Sequence, residues 1–262
     1  MKKALYMITL MVIVLTLAAC GAAPAQTAIP TADAATPSAT AAPSTPSVQA
    51  ETIKFTDAAL EAKVREAMNK PTGDITAEEA KAVTKLNLAN ENFDQMNQHQ
   101  ELVIKDISDL RYFTGLEELD ISFNNVSDLT PISGITSMKT LVFNGTAVRD
   151  LTPIKGLTNM DCIVFCWNNN DRIGGIKSLE PLANMKGLEH IDAKNAGLKD
   201  ITVLAGLPKL WDVQLCDNQI TDVTPLKDLK LKIVLLGNNP VKDFSPLKGV
   251  YSTLDGKDFE IK

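Results

Sequence analysis

Apolar positions recur along this chain with a fixed period of about one short supersecondary unit. Three apolar residues in the spacing L-x-x-L-x-L open each unit. They are Leu116, Leu119 and Ile121, then Met138, Leu141 and Phe143, then Met160, Ile163 and Phe165. Leu188, Ile191 and Ala193, Leu210, Val213 and Leu215, and Leu231, Val234 and Leu236 follow. Measured on the third residue of each set, the spacings are 22, 22, 28, 22 and 21. A period of this length predicts a solenoid, because one unit cannot bury its apolar face alone and must stack on its neighbours. The alternating L-x-L pair predicts a short strand buried on one face.

The polar positions are as regular. An Asn stands three residues after the last apolar one at Asn124, Asn168, Asn218 and Asn239, with Thr146 and Ala196 in its place in two units. Such an Asn can satisfy buried backbone groups where the chain leaves the strand. The second half of each unit reads like Asp128-Leu129-Thr130-Pro131-Ile132. Apolar residues three apart, with proline early in the turn, predict a 3₁₀ or one-turn helical segment. Asp106, Asp128, Asp150, Asp200, Asp222 and Asp243 each precede that turn and are read as acceptors for its free N–H groups rather than as a metal site.

Before the repeats, Leu60, Val64 and Met68 mark one face of a helix with Asp57 as N-cap, ended by Pro71 and Gly73. Thr76 and Glu79 form a capping box that opens a second helix. These helices are expected to cover the apolar end of the solenoid as a cap over 52–82, followed by repeats over 83–250. Residues 251–262 are expected to close the far end as a strand through Phe259 and Ile261. A polar insertion around Asn90 to Leu102 and a turn-forming one within 168–175 are expected to loop out.

This pattern resembles that of bacterial leucine-rich-repeat proteins of the internalin type, over roughly Ile53 to Val250. The resemblance implies an α/β solenoid: a leucine-rich-repeat horseshoe with a parallel β-sheet on the concave face, a 3₁₀ or irregular convex side and an N-terminal helical cap. It implies a binding protein whose partner is another protein, without naming that partner.

The N-terminus adds a location. Lys2 and Lys3 precede an apolar run from Ala4 to Ala19, which reads as an export signal over 1–19 and is short for a membrane span. Leu17-Ala18-Ala19-Cys20 resembles a lipobox, implying cleavage before Cys20 and its lipidation. Acyl chains contribute about 0.8 kcal/mol per buried methylene. Residues 20–51 are Ala, Pro, Thr and Ser with few large apolar residues, and are read as a disordered tether. The expected location is therefore the outer side of a bacterial membrane, anchored through Cys20.

Strand residues between the apolar ones should face outward. The middle of that face carries Val142, Cys162, Val164 and Cys166, bordered by Phe123, Trp167 and Trp211. An exposed apolar patch with tryptophan, rimmed by Asp120, His190, Asp192 and Asp212, has the make-up of an interaction surface. Phe123, Val142, Val164, Trp167, His190, Asp192, Asp212 and Gln214 are the candidate binding residues. A groove with these tryptophans also suits a carbohydrate or cell-envelope polymer, and the least specific reading is a passive structural lipoprotein of the envelope.

Charge and chemistry narrow the rest. The net charge is −6, and removing Lys2 and Lys3 makes it −8, which argues against nucleic acid and leaves a basic protein partner open. No Ser-His-Asp, H-E-x-x-H, G-x-S-x-G or P-loop arrangement is present, so no catalytic residue, cofactor or metal is assigned. Cys166 with His190 is the one conceivable nucleophile and base, without a residue to orient them. Cys162, Cys166 and Cys216 are placed too far apart for disulfides. The chain is read as a monomer.

Overall fold

The computed structural model describes residues 51–90, 103–168 and 174–261. The export signal, Cys20, the tether up to residue 50, the insertion at 91–102 and the loop at 169–173 lie outside the described residues.

Eight parallel strands form one open sheet in strict sequence order. They are β1 (Lys85–Asn87), β2 (Glu118–Asp120), β3 (Thr140–Val142), β4 (Cys162–Val164), β5 (His190–Asp192), β6 (Asp212–Gln214), β7 (Ile233–Leu235) and β8 (Gly256–Lys257). Leu86, Leu119, Leu141, Ile163, Ile191, Val213 and Val234 are successive register partners, so the second apolar residue of every unit lies beside its counterpart. All seven are buried. Each strand is three residues long or shorter and ends before the third apolar residue, which turns inward to the same core. The fold is a leucine-rich-repeat solenoid.

The units return through 3₁₀ turns such as Thr130–Ile132, Thr152–Ile154 and Thr224–Leu226, each with proline in its first turn. The preceding aspartates act as predicted. The carboxylates of Asp106, Asp128, Asp150, Asp200, Asp222 and Asp243 each accept the N–H two residues on, at 2.7–2.8 Å. The hydrogen bonds at Asp150, Asp200, Asp222 and Asp243 hold those carboxyls below their ordinary pKa.

The asparagine ladder ties each rung to the one before. Asn124 accepts the Ile104 N–H and donates to the carbonyls of Leu88, Ile121 and Ser122. Asn218 repeats this arrangement on Ala196, Leu198, Ala193, Leu215 and Cys216. Where Thr146 replaces Asn, Asn168 of the next rung reaches back to accept its N–H and donate to its hydroxyl. The Thr146 hydroxyl donates to the Phe143 carbonyl, the bond that Asn124 and Asn218 make within their own rungs.

At the N-terminal end, α1 (Ala58–Ala67) and α2 (Ala77–Lys81) stand where the periodicity placed helices. Thr76 and Glu79 make the reciprocal capping box. Asp57 caps α1 and also accepts the N–H groups of Lys105 and Asp106. Partial burial pushes its carboxyl pKa up, but these four donors outweigh burial and hold it below the usual value. Asp109, fully buried in the first 3₁₀ turn, accepts both the N–H and the hydroxyl of Thr56 and so fastens the cap to the first unit.

At the other end the closing strand is Gly256–Lys257, not a strand through Phe259 and Ile261. Phe259 instead stacks on Phe244 with ring centroids 4.6 Å apart. Asp258, just past the closing strand, accepts the N–H groups of Leu236 and Gly237 through its carboxylate, where an inner rung would offer backbone carbonyls.

Candidate functional site

Because side chains alternate, each strand presents two residues on the face opposite the core. Register fixes two rows across the sheet. One runs Glu118, Thr140, Cys162, His190, Asp212, Ile233; the other runs Asp120, Val142, Val164, Asp192, Gln214, Leu235. Val142 and Val164 are direct neighbours and both partly exposed. Ile233 and Leu235 are partly exposed on the same face. They were not singled out in sequence, although the period that places Val234 in the core assigns them outward.

Phe123 and Trp167 stand at the C-terminal edge of this face, in an unexpected backbone conformation. The residue just before the ladder position adopts positive φ in six successive rungs: Phe123 58°, Gly145 60°, Trp167 58°, Asn195 51°, Asp217 59° and Asn238 59°. Glycine, asparagine and aspartate tolerate this left-handed region; for bulky side chains it costs about 1–2 kcal/mol. Two of six rungs therefore place an aromatic ring where the backbone disfavours it. The rings of Phe123 and Trp167 stack with centroids 6.0 Å apart and planes 28° from parallel. Gly145 lies on the rung between them, and a Cβ there would meet the Phe123 ring at 2.7 Å. The missing side chain makes room for the pair. Trp167 remains 39% exposed. Strain held at an exposed Trp167 and a half-buried Phe123 is the kind of outlier that points to a role beyond packing.

Polar groups of the fifth and sixth rungs are tied together. His190 Nδ1 lies 2.8 Å from Asp212 Oδ2, and Gln214 Nε2 donates to both Asp212 oxygens. Asp212 is therefore buried by its partners, at 6% exposure, rather than standing free on a rim. Asp192 accepts the Cys166 thiol at 3.0 Å and the Lys194 N–H. The outward assignment of Cys166 is corrected by burial, and Ser122, at the same place in its own unit, is buried too. Cys166 is 4% exposed and Ser122 2% exposed, because the strand has ended and the chain is already turning. Ser122 accepts the Asn144 N–H, and Asn144 in turn accepts the Cys166 N–H.

This arrangement does not join Cys166 to His190. The thiol points to Asp192, and the imidazole Nδ1 faces Asp212. Burial, then the Asp192 carboxylate, push the Cys166 thiol far above its ordinary pKa, the reverse of what a nucleophile needs. Burial also raises Cys216, to about 12, and Cys162, to about 11. For Cys162 the next causes are the carboxylates of Asp212, Asp192 and Asp161. Among the described residues no group of three or more His, Cys, Asp or Glu is placed to hold a metal ion.

The charges on this face are unequal. Lys85 pairs with Glu118, Lys139 with Glu117 and Lys194 with Asp217. Among the described residues, Asp120, Asp161, Glu189 and Asp192 have no lysine or arginine in ion-pair range.

No family model matches the chain, and no curated protein sequence is similar to it. Solved structures are. An internalin (inlF) from Listeria monocytogenes is 25% identical, with a TM-score of 0.62 over 83% of this chain and 67% of that one. An internalin C2 (inlC2) from the same species is 29% identical, with a TM-score of 0.60 over 79% of this chain and 94% of that one. The leucine-rich-repeat architecture described above is similar to that of these two internalin structures.

Proposed function

We propose that the chain is a lipid-anchored surface protein that binds another protein through the outer face of its sheet, in interaction or adhesion. Cys20 is the proposed lipidated residue, and the Ala/Pro/Thr stretch the tether that carries the solenoid away from the membrane. Phe123, Val142, Val164 and Trp167 form the proposed apolar contact, with His190, Asp192, Asp212 and Gln214 as its polar border.

The observation that carries this reading is the Phe123–Trp167 pair. Two rungs hold large aromatics in left-handed backbone where Gly, Asn or Asp serves in the others, three residues beyond the outward row that carries the partly exposed Val142–Val164 pair. The rings stack on each other, and their remaining exposed surface beside apolar strand residues supplies contact area at low entropic cost.

The test is crosslinking on intact cells, comparing the full-length protein with its Trp167→Ala/Val164→Asp form. A discrete protein adduct is expected with the first and at least a tenfold weaker one with the second. Recovery of the same partner in equal amount with both forms contradicts the reading. Recovery of envelope polysaccharide in place of protein, lost with the same substitutions, replaces the protein partner by a polymer.

A further inference from the structure

The unequal charges on the sheet face point to the chemistry of the partner. Between β2 and β6, Lys139 and Lys194 are already paired with Glu117 and Asp217, while Asp120 and Asp192 have no lysine or arginine in ion-pair range among the described residues. A folded protein that keeps unpaired carboxylates around an apolar strip disfavours acidic partners and favours basic ones. Position sharpens this. Asp120, Val142, Val164 and Asp192 are consecutive members of one register row. At about 4.8 Å per strand, the two carboxylates stand about 14 Å apart with the two valines between them. The Asp120 carboxylate spends one oxygen on the Ser122 N–H, and the Asp192 carboxylate spends the same oxygen, Oδ1, on both Cys166 and Lys194. Each has a second oxygen to offer. The Phe123–Trp167 pair bounds the strip on one side.

We propose that the face of β2–β5 docks an extended cationic polypeptide segment in which two lysine or arginine side chains flank an apolar one. The apolar side chain seats on Val142 and Val164 against the Trp167 ring, and the two cations meet Asp120 and Asp192. In extended chain, about 3.3 Å per residue, the carboxylate separation matches basic residues four apart. Arginine suits this better than lysine, because its planar fork pairs with carboxylates and stacks on tryptophan. This inference rests on the protein-binding reading above and adds the charge and spacing of the bound segment.

The test uses the full chain carrying Trp211→Phe, so that Trp167 is the one tryptophan and its emission reports the site. Three blocked peptides are titrated: Arg-Ala-Leu-Ala-Arg, Gln-Ala-Leu-Ala-Gln and Glu-Ala-Leu-Ala-Glu. The arginine peptide is expected to shift Trp167 emission saturably with a Kd at least tenfold below that of the glutamine peptide, and to weaken as salt rises. The glutamate peptide is expected not to saturate. Asp120→Asn/Asp192→Asn, which keeps an acceptor for the internal bonds, should abolish the tenfold preference. Asp120→Lys/Asp192→Lys should transfer it to the glutamate peptide, a gain that misfolding cannot produce. Equal affinity for all three peptides overturns the charge assignment while leaving the protein-binding face in place. No response to any peptide overturns the inference as well, and the cell crosslinking then decides the broader reading on its own.

Discussion

Asn218→Ala is expected to lower the free energy of unfolding by about 3–5 kcal/mol, among the largest effects of any single polar substitution in the chain. The side chain is buried, with 6% exposure for the residue. Its carbonyl oxygen accepts the N–H groups of Ala196 and Leu198, and its amide donates to the carbonyls of Ala193, Leu215 and Cys216. Alanine leaves two buried donors and up to three acceptors without that partner, and each unsatisfied buried group costs about 1–3 kcal/mol. The cost is heightened by the rung it serves, since Ala196 brings no side-chain polar atom of its own. Asn239→Ala should cost less, because Asn239 is partly exposed and water can replace it. Urea unfolding followed by circular dichroism checks this. A midpoint equal to that of the parent would show that the ladder does not hold the rungs together.

Phe143→Ala is expected to cost a similar amount, about 3–5 kcal/mol, by a different mechanism. Phe143 is fully buried and stacks on Phe165 of the next rung, with centroids 5.3 Å apart and planes 13° from parallel. The substitution removes that stack and opens a cavity in the middle of the spine, which collapses only in part. Trp167→Asn is the informative contrast. It removes a larger ring, but one 39% exposed, and it relieves a left-handed backbone that asparagine tolerates. Its free energy of unfolding should therefore stay within about 1 kcal/mol of the parent's. The two measured side by side separate an aromatic that the core needs from one that the fold can spare.

The strands, the 3₁₀ returns, the aspartate caps and the asparagine ladder were legible in the sequence because each repeats. A residue type that recurs at one position in six units is read six times, and the physical reason for it needs to be found once. The features that escaped do not repeat. Cys166 reads as an outward strand residue by alternation, yet the strand stops at Val164 and the alternation stops with it. Asp212 reads as a free rim charge, but its burial depends on His190 from the neighbouring rung, a contact that period alone does not specify. The closing strand was sought in the most apolar stretch, Phe259 to Ile261. Two residues with little strand propensity, Gly256 and Lys257, pair with β7 instead, because Asp258 and Phe259 are needed to cover the end of the spine.

The left-handed position was also within reach of sequence. Reading down the residue before the ladder Asn gives Phe123, Gly145, Trp167, Asn195, Asp217 and Asn238. Four of these are the types that accept positive φ, which marks the position and makes the two aromatics exceptions. Their stacking across Gly145 was not legible, since it joins rungs two apart through an absent side chain.

The central claim is that the outer face of β3–β5 is the contact surface of this protein. A photo-crosslinking amino acid placed in turn at Val142, Val164 and, on the opposite side of the unit, Lys155 tests it most directly on intact cells. The account predicts one shared adduct from Val142 and Val164 and none from Lys155. The same adduct from Lys155 alone, with nothing from the two valines, would contradict it.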